Sequence, residues 1–148
     1  MLAALSAAGC SVHSGKPDSS IEATAAYIAL PTGKTTVGYL DIRNNGTLDD
    51  ELVSVSTSVG GTVTLRAPAQ ANVTPVLMRT VPDIEIPAGT MVRLIPDSFH
   101  LLLSGTRPMQ DGKDITLTLK FAHAGDVTVL ALVTNPMNGN SSYFLNMN

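Results

Sequence analysis

His100 stands inside an otherwise apolar run, SFHLLLSG (98–105), in a chain that has only three histidines. An imidazole in such a run has two interpretations. It can be a packed strand residue whose ring nitrogens find a hydrogen-bond partner, or it can be a metal ligand, because neutral imidazole binds transition metals. The residue type alone favours packing, so the evidence for a metal has to come from the rest of the chain.

The segments that would position His100 are short, strand-like and separated by turn residues. Apolar and β-branched runs end at Pro31-Thr32-Gly33, at Asn44-Asn45-Gly46 and at Gly60-Gly61. No window has the 3.6-residue period of an amphipathic helix. About eight or nine such runs predict an all-β protein, an antiparallel Greek-key β-sandwich formed by a single domain.

The clearest strand is the run from 115 to 121, in which apolar side chains occupy the odd positions and Thr or Lys the even ones. This alternation predicts one buried side and one solvent-facing side. The side chains expected in the core are Ile115, Leu117, Leu119 and Phe121. A turn at 123–126 then leads into a last run that is apolar on both sides near its end, which predicts a hairpin and a central strand.

Composition narrows the class of protein. The chain has 148 residues, 44% of them hydrophobic, which is enough for one domain with a core. Its formal net charge is -3 and no Lys/Arg run occurs, which argues against a nucleic-acid partner. The sequence has no nucleophile elbow, phosphate loop, paired-carboxylate pattern or zinc-type cluster, so we do not expect an enzyme.

The single cysteine, Cys10, directly follows MLAALSAAG. This arrangement resembles the end of a bacterial lipoprotein signal, in which a cysteine after small residues is lipidated and becomes the mature N-terminus. The apolar stretch is short and no Lys or Arg precedes it. The alternative is a free cysteine in a loose N-terminal segment. Lipidation is favoured because the next residues, SVHSGKPDSSIE, read as a polar tether. We therefore expect an extracytoplasmic protein that is lipid-anchored to a bacterial membrane.

These features divide the chain into three parts. Residues 1–22 are interpreted as a lipoprotein signal remnant and flexible tether, and residues 23–133 as the β-sandwich. Residues 134–148 are interpreted as an Asn-rich tail, in which Tyr143 to Leu145 could pack on the sandwich.

Phrases within residues 24–133 resemble the periplasmic copper chaperones of the PCuAC type. YLDIRNNG, EIPAG and the approach to His100 through DSF occur in the order that this family has them. The resemblance implies a cupredoxin-like β-sandwich that binds Cu(I) outside the cytoplasm. It also implies a copper-accepting envelope protein as partner, such as an oxidase subunit or assembly factor, since the family is implicated in delivering copper to the CuA centre of cytochrome oxidase.

The metal motif of that family is a His, eleven residues, a Met, twenty-one residues and then His-x-Met. Met78 and His100 keep the second spacing, whereas the first position is Arg66 and the last is Leu102. Leu102 offers no lone pair, and Arg66 has only donors and a fixed positive charge. The resemblance therefore implies that Met78 and His100 are the remaining ligands of an altered, weak Cu(I) site.

Other soft or imidazole side chains are weaker candidates. Met109 lies in a turn-like segment that could fold back toward His100, and Met91 precedes that histidine. The remaining members of this group are His13, His123, Met137 and Met147, which we expect to be solvated or to lie in the tail.

Two functions of different class remain open. The first is a copper-chaperone-like envelope lipoprotein that binds or transfers Cu(I) through the altered site. The second is a metal-free structural or protein-interaction lipoprotein on the same sandwich, in which Arg66 presents its charge to a protein partner or an anion. Metal content separates the two.

Overall fold

The structure is a computed structural model that describes residues 18–70, 72 and 74–135. The predictions about Cys10, His13, Met137, Met147 and Tyr143 to Leu145 lie outside these residues. The described part of the chain consists of β-strands and connecting turns, without a helix. The strands are β1 (Ile21–Ala29), β2 (Thr35–Asn44), β3 (Asp50–Thr57), β4 (Thr62–Pro68), β5 (Met78–Val81), β6 (Ile84–Ile86), β7 (Met91–Leu94), β8 (His100–Ser104), β9 (Asp114–Phe121) and β10 (Gly125–Thr134).

The strands form one sheet in the order β5-β4-β8-β2-β1-β10-β9-β3-β6, with β7 pairing with β2 beside β8. The sheet folds over on itself, nearly into a barrel, so that its two halves enclose a single core. The predicted all-β sandwich is confirmed. The strand that the sequence did not suggest is β6, which has only three residues and is too short to show a pattern.

The pairing of β1 with β10 is the one exception to an otherwise antiparallel sheet. These two strands run parallel, with Ala26 opposite Ala131, whereas all other strand pairs among the described residues are antiparallel. The prediction of a central last strand is confirmed, because β10 lies between β9 and β1.

The alternation in β9 has the predicted result. Leu117 and Leu119 are completely buried and Phe121 is nearly so, whereas Lys120 is exposed. Complete burial of a Leu or Phe side chain contributes about 1.5–3 kcal/mol. The predicted hairpin is also present, with Gly125 opposite Phe121.

Asp50 ties together the end of the sheet at which β1 begins. Its buried carboxylate accepts hydrogen bonds from the Ser19 hydroxyl and from the backbone N–H groups of Glu51 (2.8 Å), His123 (2.9 Å) and Ala124 (2.9 Å). Burial raises the pKa of Asp50, but these hydrogen bonds to the charged form outweigh that effect and hold the pKa below its ordinary value. Asp50 therefore joins the β9–β10 hairpin to β3 and to the chain entering β1.

Candidate metal site

Strand register brings the first and third motif positions directly opposite each other. In the antiparallel pair β4–β8, Arg66 is the partner of His100, and Thr64 is the partner of Leu102. Directly opposed residues share a face of the sheet, as do residues two apart along a strand. Arg66, His100 and Leu102 therefore lie together on the outer face, whereas Leu101 and Leu103 point into the core with no exposed surface.

Strand β5 supplies the remaining motif position on the other side of β4. Met78 is the partner of Pro68, and Thr80 is the partner of Arg66. Since Pro68 lies two residues beyond Arg66, Met78 belongs to the same outer face. The four positions that the spacing picked out thus come from three adjacent strands, β5, β4 and β8, and meet on one face of the sheet.

His100 is held in one orientation by the loop that precedes it. Its Nδ1 lies 3.1 Å from the carbonyl oxygen of Ser98. A carbonyl oxygen only accepts, so Nδ1 carries the proton and donates, and in the neutral ring Nε2 keeps a lone pair. In metal-ligating histidines, the ring nitrogen that does not bind the metal commonly donates a hydrogen bond of this kind, which orients the imidazole. The tautomer therefore suits a metal ligand, and it equally satisfies the polar ring of a packed histidine.

Tyr39 on β2 forms the wall beside the imidazole. The two ring centroids are 6.2 Å apart and the rings are inclined at 59°, a tilted arrangement within the usual range for aromatic pairs. Burial raises the pKa of the Tyr39 phenol, and the negative charge of Asp97 raises it further. The phenol stays neutral at physiological pH, so Tyr39 packs against His100 and does not supply a phenolate ligand.

The guanidinium of Arg66 reaches across to β5. Nη1 donates to the Thr80 hydroxyl oxygen at 2.8 Å, and Nη2 donates to the Met78 carbonyl oxygen at 3.1 Å. Arg66 therefore fixes the backbone of Met78 relative to β4 and leaves its positive charge on the same face as His100. The sequence showed that Arg66 cannot be a ligand, but it gave no signal for these contacts, because they depend on the β4–β5 register.

The soft donors at the motif positions are limited to the His100 imidazole and the Met78 thioether, both half-buried. Within the described residues, no group of three or more His, Cys, Asp or Glu side chains is placed to hold a metal ion. An imidazole and a thioether match the preference of Cu(I) for soft ligands. The chemistry of the two donors fits copper, but the donor number is half that of the family motif.

The other methionine and histidine candidates lie elsewhere. Met91 on β7 accepts a hydrogen bond from Arg43 at 3.6 Å on its sulfur. Met109 does not fold back to His100; it lies beyond the opposite end of β8, where it lines a cleft with Thr35 and Ser104. His123 is exposed in the β9–β10 turn, where its backbone N–H binds Asp50.

Known structures share this architecture. A PCuAC domain from PmoF1 in its apo form aligns with a TM-score of 0.67 and 21% identity, over 78% of this chain and 94% of that domain. A copper-bound PCuAC domain from PmoF2 gives 0.64 and 21%, over 78% and 93%. The solution structure of CuI-DR1885 from Deinococcus radiodurans gives 0.62 and 25%, over 86% and 85%.

Sequence comparison leads to a lipoprotein family. The chain is 24% identical over 143 residues to "Putative lipoprotein Lxx21020" of Leifsonia xyli subsp. xyli, covering 91% of this chain and 86% of that protein. The described residues contain no helix long and apolar enough to cross a membrane. The family described as "Putative lipoprotein LpqE-like" matches residues 19–133. Since this match spans most of the sequence, the chain belongs to the LpqE-like lipoprotein family, and its fold is the one that PCuAC domains have.

Proposed function

We propose that this protein is an envelope lipoprotein, anchored through Cys10, that binds Cu(I) weakly at His100 and Met78 and passes it to a partner. The observation that carries the proposal is the register of β5, β4 and β8, which brings all four motif positions to one outer face although two of their side chains have changed. Two of the structural relatives, the copper-bound PCuAC domain from PmoF2 and CuI-DR1885, carry copper, which supports the choice of metal.

The two donors are His100 Nε2 and the Met78 thioether sulfur. Nδ1 of the imidazole is already engaged with the Ser98 carbonyl oxygen, so Nε2 is the nitrogen that faces a metal. Two protein ligands leave room at Cu(I) for ligands from solvent or from another protein. Incoming soft ligands of a copper-accepting envelope protein would displace His100 and Met78 in turn, and the ion would remain Cu(I) throughout, so that no electron is exchanged.

Arg66 sets the strength of this site. Its fixed charge lies on the same face as His100 and disfavours a second cation there. Its hydrogen bonds to Thr80 and to the Met78 carbonyl draw the guanidinium toward β5 and hold the backbone of one ligand in place. The proposed result is a site that binds copper weakly and releases it readily, which suits buffering or transfer and requires no catalytic step.

A Cu(I) competition titration against a chromogenic chelator, under oxygen-free reducing conditions, tests the proposal. We expect measurable but weak binding by the wild type, with at least a tenfold loss in His100→Ala and a loss in Met78→Leu. The matched controls are His123→Ala in the β9–β10 turn and Met91→Leu on β7, which remove the same side-chain types away from this site and should bind as the wild type does.

The metal-free interaction lipoprotein is the second candidate. It is favoured by the hydrogen bonds that already occupy the Arg66 guanidinium and by the small number of soft donors on this face. Equal copper affinities for the wild type and His100→Ala would support it at the expense of the copper site. Tight wild-type binding that survives His100→Ala would show that other residues form the site.

A further inference from the structure

A cleft of about 630 Å³ opens at the end of the sheet where β1 and β8 finish. It lies between the β1–β2 connection, which contains Lys34, and the chain following β8, which contains Arg107 and Met109. Volumes of this size are typical of sites for small molecules. The cleft is separate from the face that carries His100, because that residue begins β8 whereas Ser104, at the other end of the strand, lines the cleft.

The charge in the cleft is of one sign. Lys34 and Arg107 are its charged lining residues, and no carboxylate lines it. The ion pair formed within the described residues joins Arg93 and Asp41 on β7 and β2, so neither Lys34 nor Arg107 forms a close ion pair with an acidic side chain in this part of the chain. Two cationic residues that line a shared cavity favour an anion there.

Arg107 is fixed in place before any ligand arrives. Its backbone N–H donates to the Val59 carbonyl oxygen at 2.9 Å, and its Nη2 donates to the Ser58 carbonyl oxygen. Nη1 lies 3.5 Å from the position that a β-carbon at Gly60 would occupy, so the guanidinium rests against the β3–β4 turn. One of its five N–H donors is engaged, and the planar group retains further donors of the kind that bind phosphate oxygens in pairs.

The walls of the cleft are partly apolar. Pro31 and Pro108 line it on opposite connections, and Met109 is half-buried, packed against the hydrophobic core. A ligand with only a charged group would leave these surfaces uncovered. A ligand that combines an anionic group with an apolar part would contact both kinds of lining.

We propose that this cleft binds a phosphate monoester that carries an apolar group, with the phosphate between Lys34 and Arg107 and the apolar part against Met109. Such a ligand could be a soluble phosphate ester or the headgroup region of an anionic lipid. The inference rests on residues outside the sheet face that carries His100, so the tests of phosphate binding and of copper binding are independent.

The test is an NMR titration of the full chain with decyl phosphate, followed at the backbone amides of Gly33 and Gly105, which line the cleft. We expect saturable shifts at these amides and an affinity at least tenfold higher than for inorganic phosphate or for decyltrimethylammonium. The double change Lys34→Gln and Arg107→Gln should lower the affinity for decyl phosphate at least tenfold. The control, Arg79→Gln with Lys120→Gln, changes the net charge equally outside the cleft and should bind as the wild type does.

Further variants keep the test decisive. Because Arg107 also holds the β3–β4 turn, Lys34→Gln alone should weaken decyl phosphate binding at least threefold with an unchanged melting temperature. Met109→Gln should weaken decyl phosphate binding and leave inorganic phosphate binding unchanged. Vesicles containing phosphatidic acid identify the source: binding as tight as that of decyl phosphate indicates a lipid, and absence of vesicle binding indicates a soluble ester.

Three results would each overturn the proposal: no binding of decyl phosphate, shifts confined to other parts of the sheet, or equal affinity in the wild type and the folded Lys34→Gln variant.

Discussion

Arg66 lies directly opposite His100 where β4 pairs with β8. Directly opposed residues are close neighbours on one face of a sheet, so the imidazole proposed as a ligand shares its face with a permanent cation, although the guanidinium itself is drawn toward β5. In the resembling family, the position of Arg66 holds a histidine. At this position, the arginine thus replaces a ligand that offers a lone pair with a positively charged group that repels the metal.

Restoring the motif should restore tight copper binding. The double change Arg66→His and Leu102→Met adds an imidazole and a thioether on the face of His100 and removes a fixed charge. A tenfold gain in affinity corresponds to about 1.4 kcal/mol, and we expect more than tenfold in the Cu(I) competition titration. Arg66→Gln with Leu102→Ile removes the charge without adding ligands and should give only a small gain. A double variant that binds no better than this control would show that the four positions do not converge on one ion.

The N-terminal cysteine should determine membrane attachment. We expect the wild-type protein to fractionate with membranes and Cys10→Ala to be released or to accumulate unprocessed, because a lipid chain then no longer holds it. Fractionation is measured after a high-salt wash, which removes proteins held only by charge. His13→Ala, three residues along the same segment, serves as the control and should stay attached. Membrane association that persists in Cys10→Ala would contradict lipid anchoring.

Asp50 should make stability depend on pH. Its folded-state pKa lies below the ordinary value, so the stabilisation is complete above the unfolded pKa of about 3.9 and is lost as pH falls through the lower folded value. At pH 7, Asp50→Asn should lower the free energy of unfolding by about 2–3 kcal/mol, since an amide cannot replace a carboxylate that accepts several N–H groups.

Urea unfolding at pH 7 and at pH 3 measures this difference, which should shrink at the lower pH. Asp126→Asn, at an exposed position of β10, is the control and should change stability by less than about 0.5 kcal/mol. A pH-independent difference between the wild type and Asp50→Asn would show that the charge of Asp50 is not what stabilises this end of the sheet.

Substitutions at two glycines can distinguish the stability cost of backbone strain from the cost of a steric clash. Gly61 and Gly89 have similar left-handed φ values, +80° and +71°. A β-carbon at Gly61 would collide with the Ser104 carbonyl oxygen, whereas one at Gly89 would meet nothing within 4 Å. Gly89→Ala should cost about 1–2 kcal/mol from strain alone, and Gly61→Ala should cost at least 1 kcal/mol more. Chemical unfolding of the two variants measures both losses in the free energy of unfolding. Equal losses would rule out a close contact between the β3–β4 turn and β8.

The sequence predicted the parts of this protein whose patterns are local. The alternation from Ile115 to Phe121 fixed which side of β9 is buried, because it depends only on neighbouring residues. The spacing of Met78 and His100 identified positions that share a face, but only through a family motif.

What the sequence could not predict depends on strand register. The opposition of Arg66 and His100, the pairing of Thr35 with Ser104 beside the cleft and the parallel contact of β1 with β10 each join segments that are distant in the chain. The cleft itself is formed by two connections, and the cations that line it, Lys34 and Arg107, have no periodicity to mark them.

The parallel contact between β1 and β10 has a consequence for how the protein is made. Ala26 finds its partner Ala131 only after nearly the whole described chain has been synthesised, and the two halves of the sheet cannot close earlier. Proteins dominated by such non-local pairings fold in milliseconds to seconds, slower than those built from local contacts. Until β10 has been synthesised, the edge of β1 that pairs with it therefore has no partner strand. If the protein is exported, as the proposed envelope location requires, this delay leaves the chain unfolded for longer, and an unfolded chain is the form that can pass through a membrane.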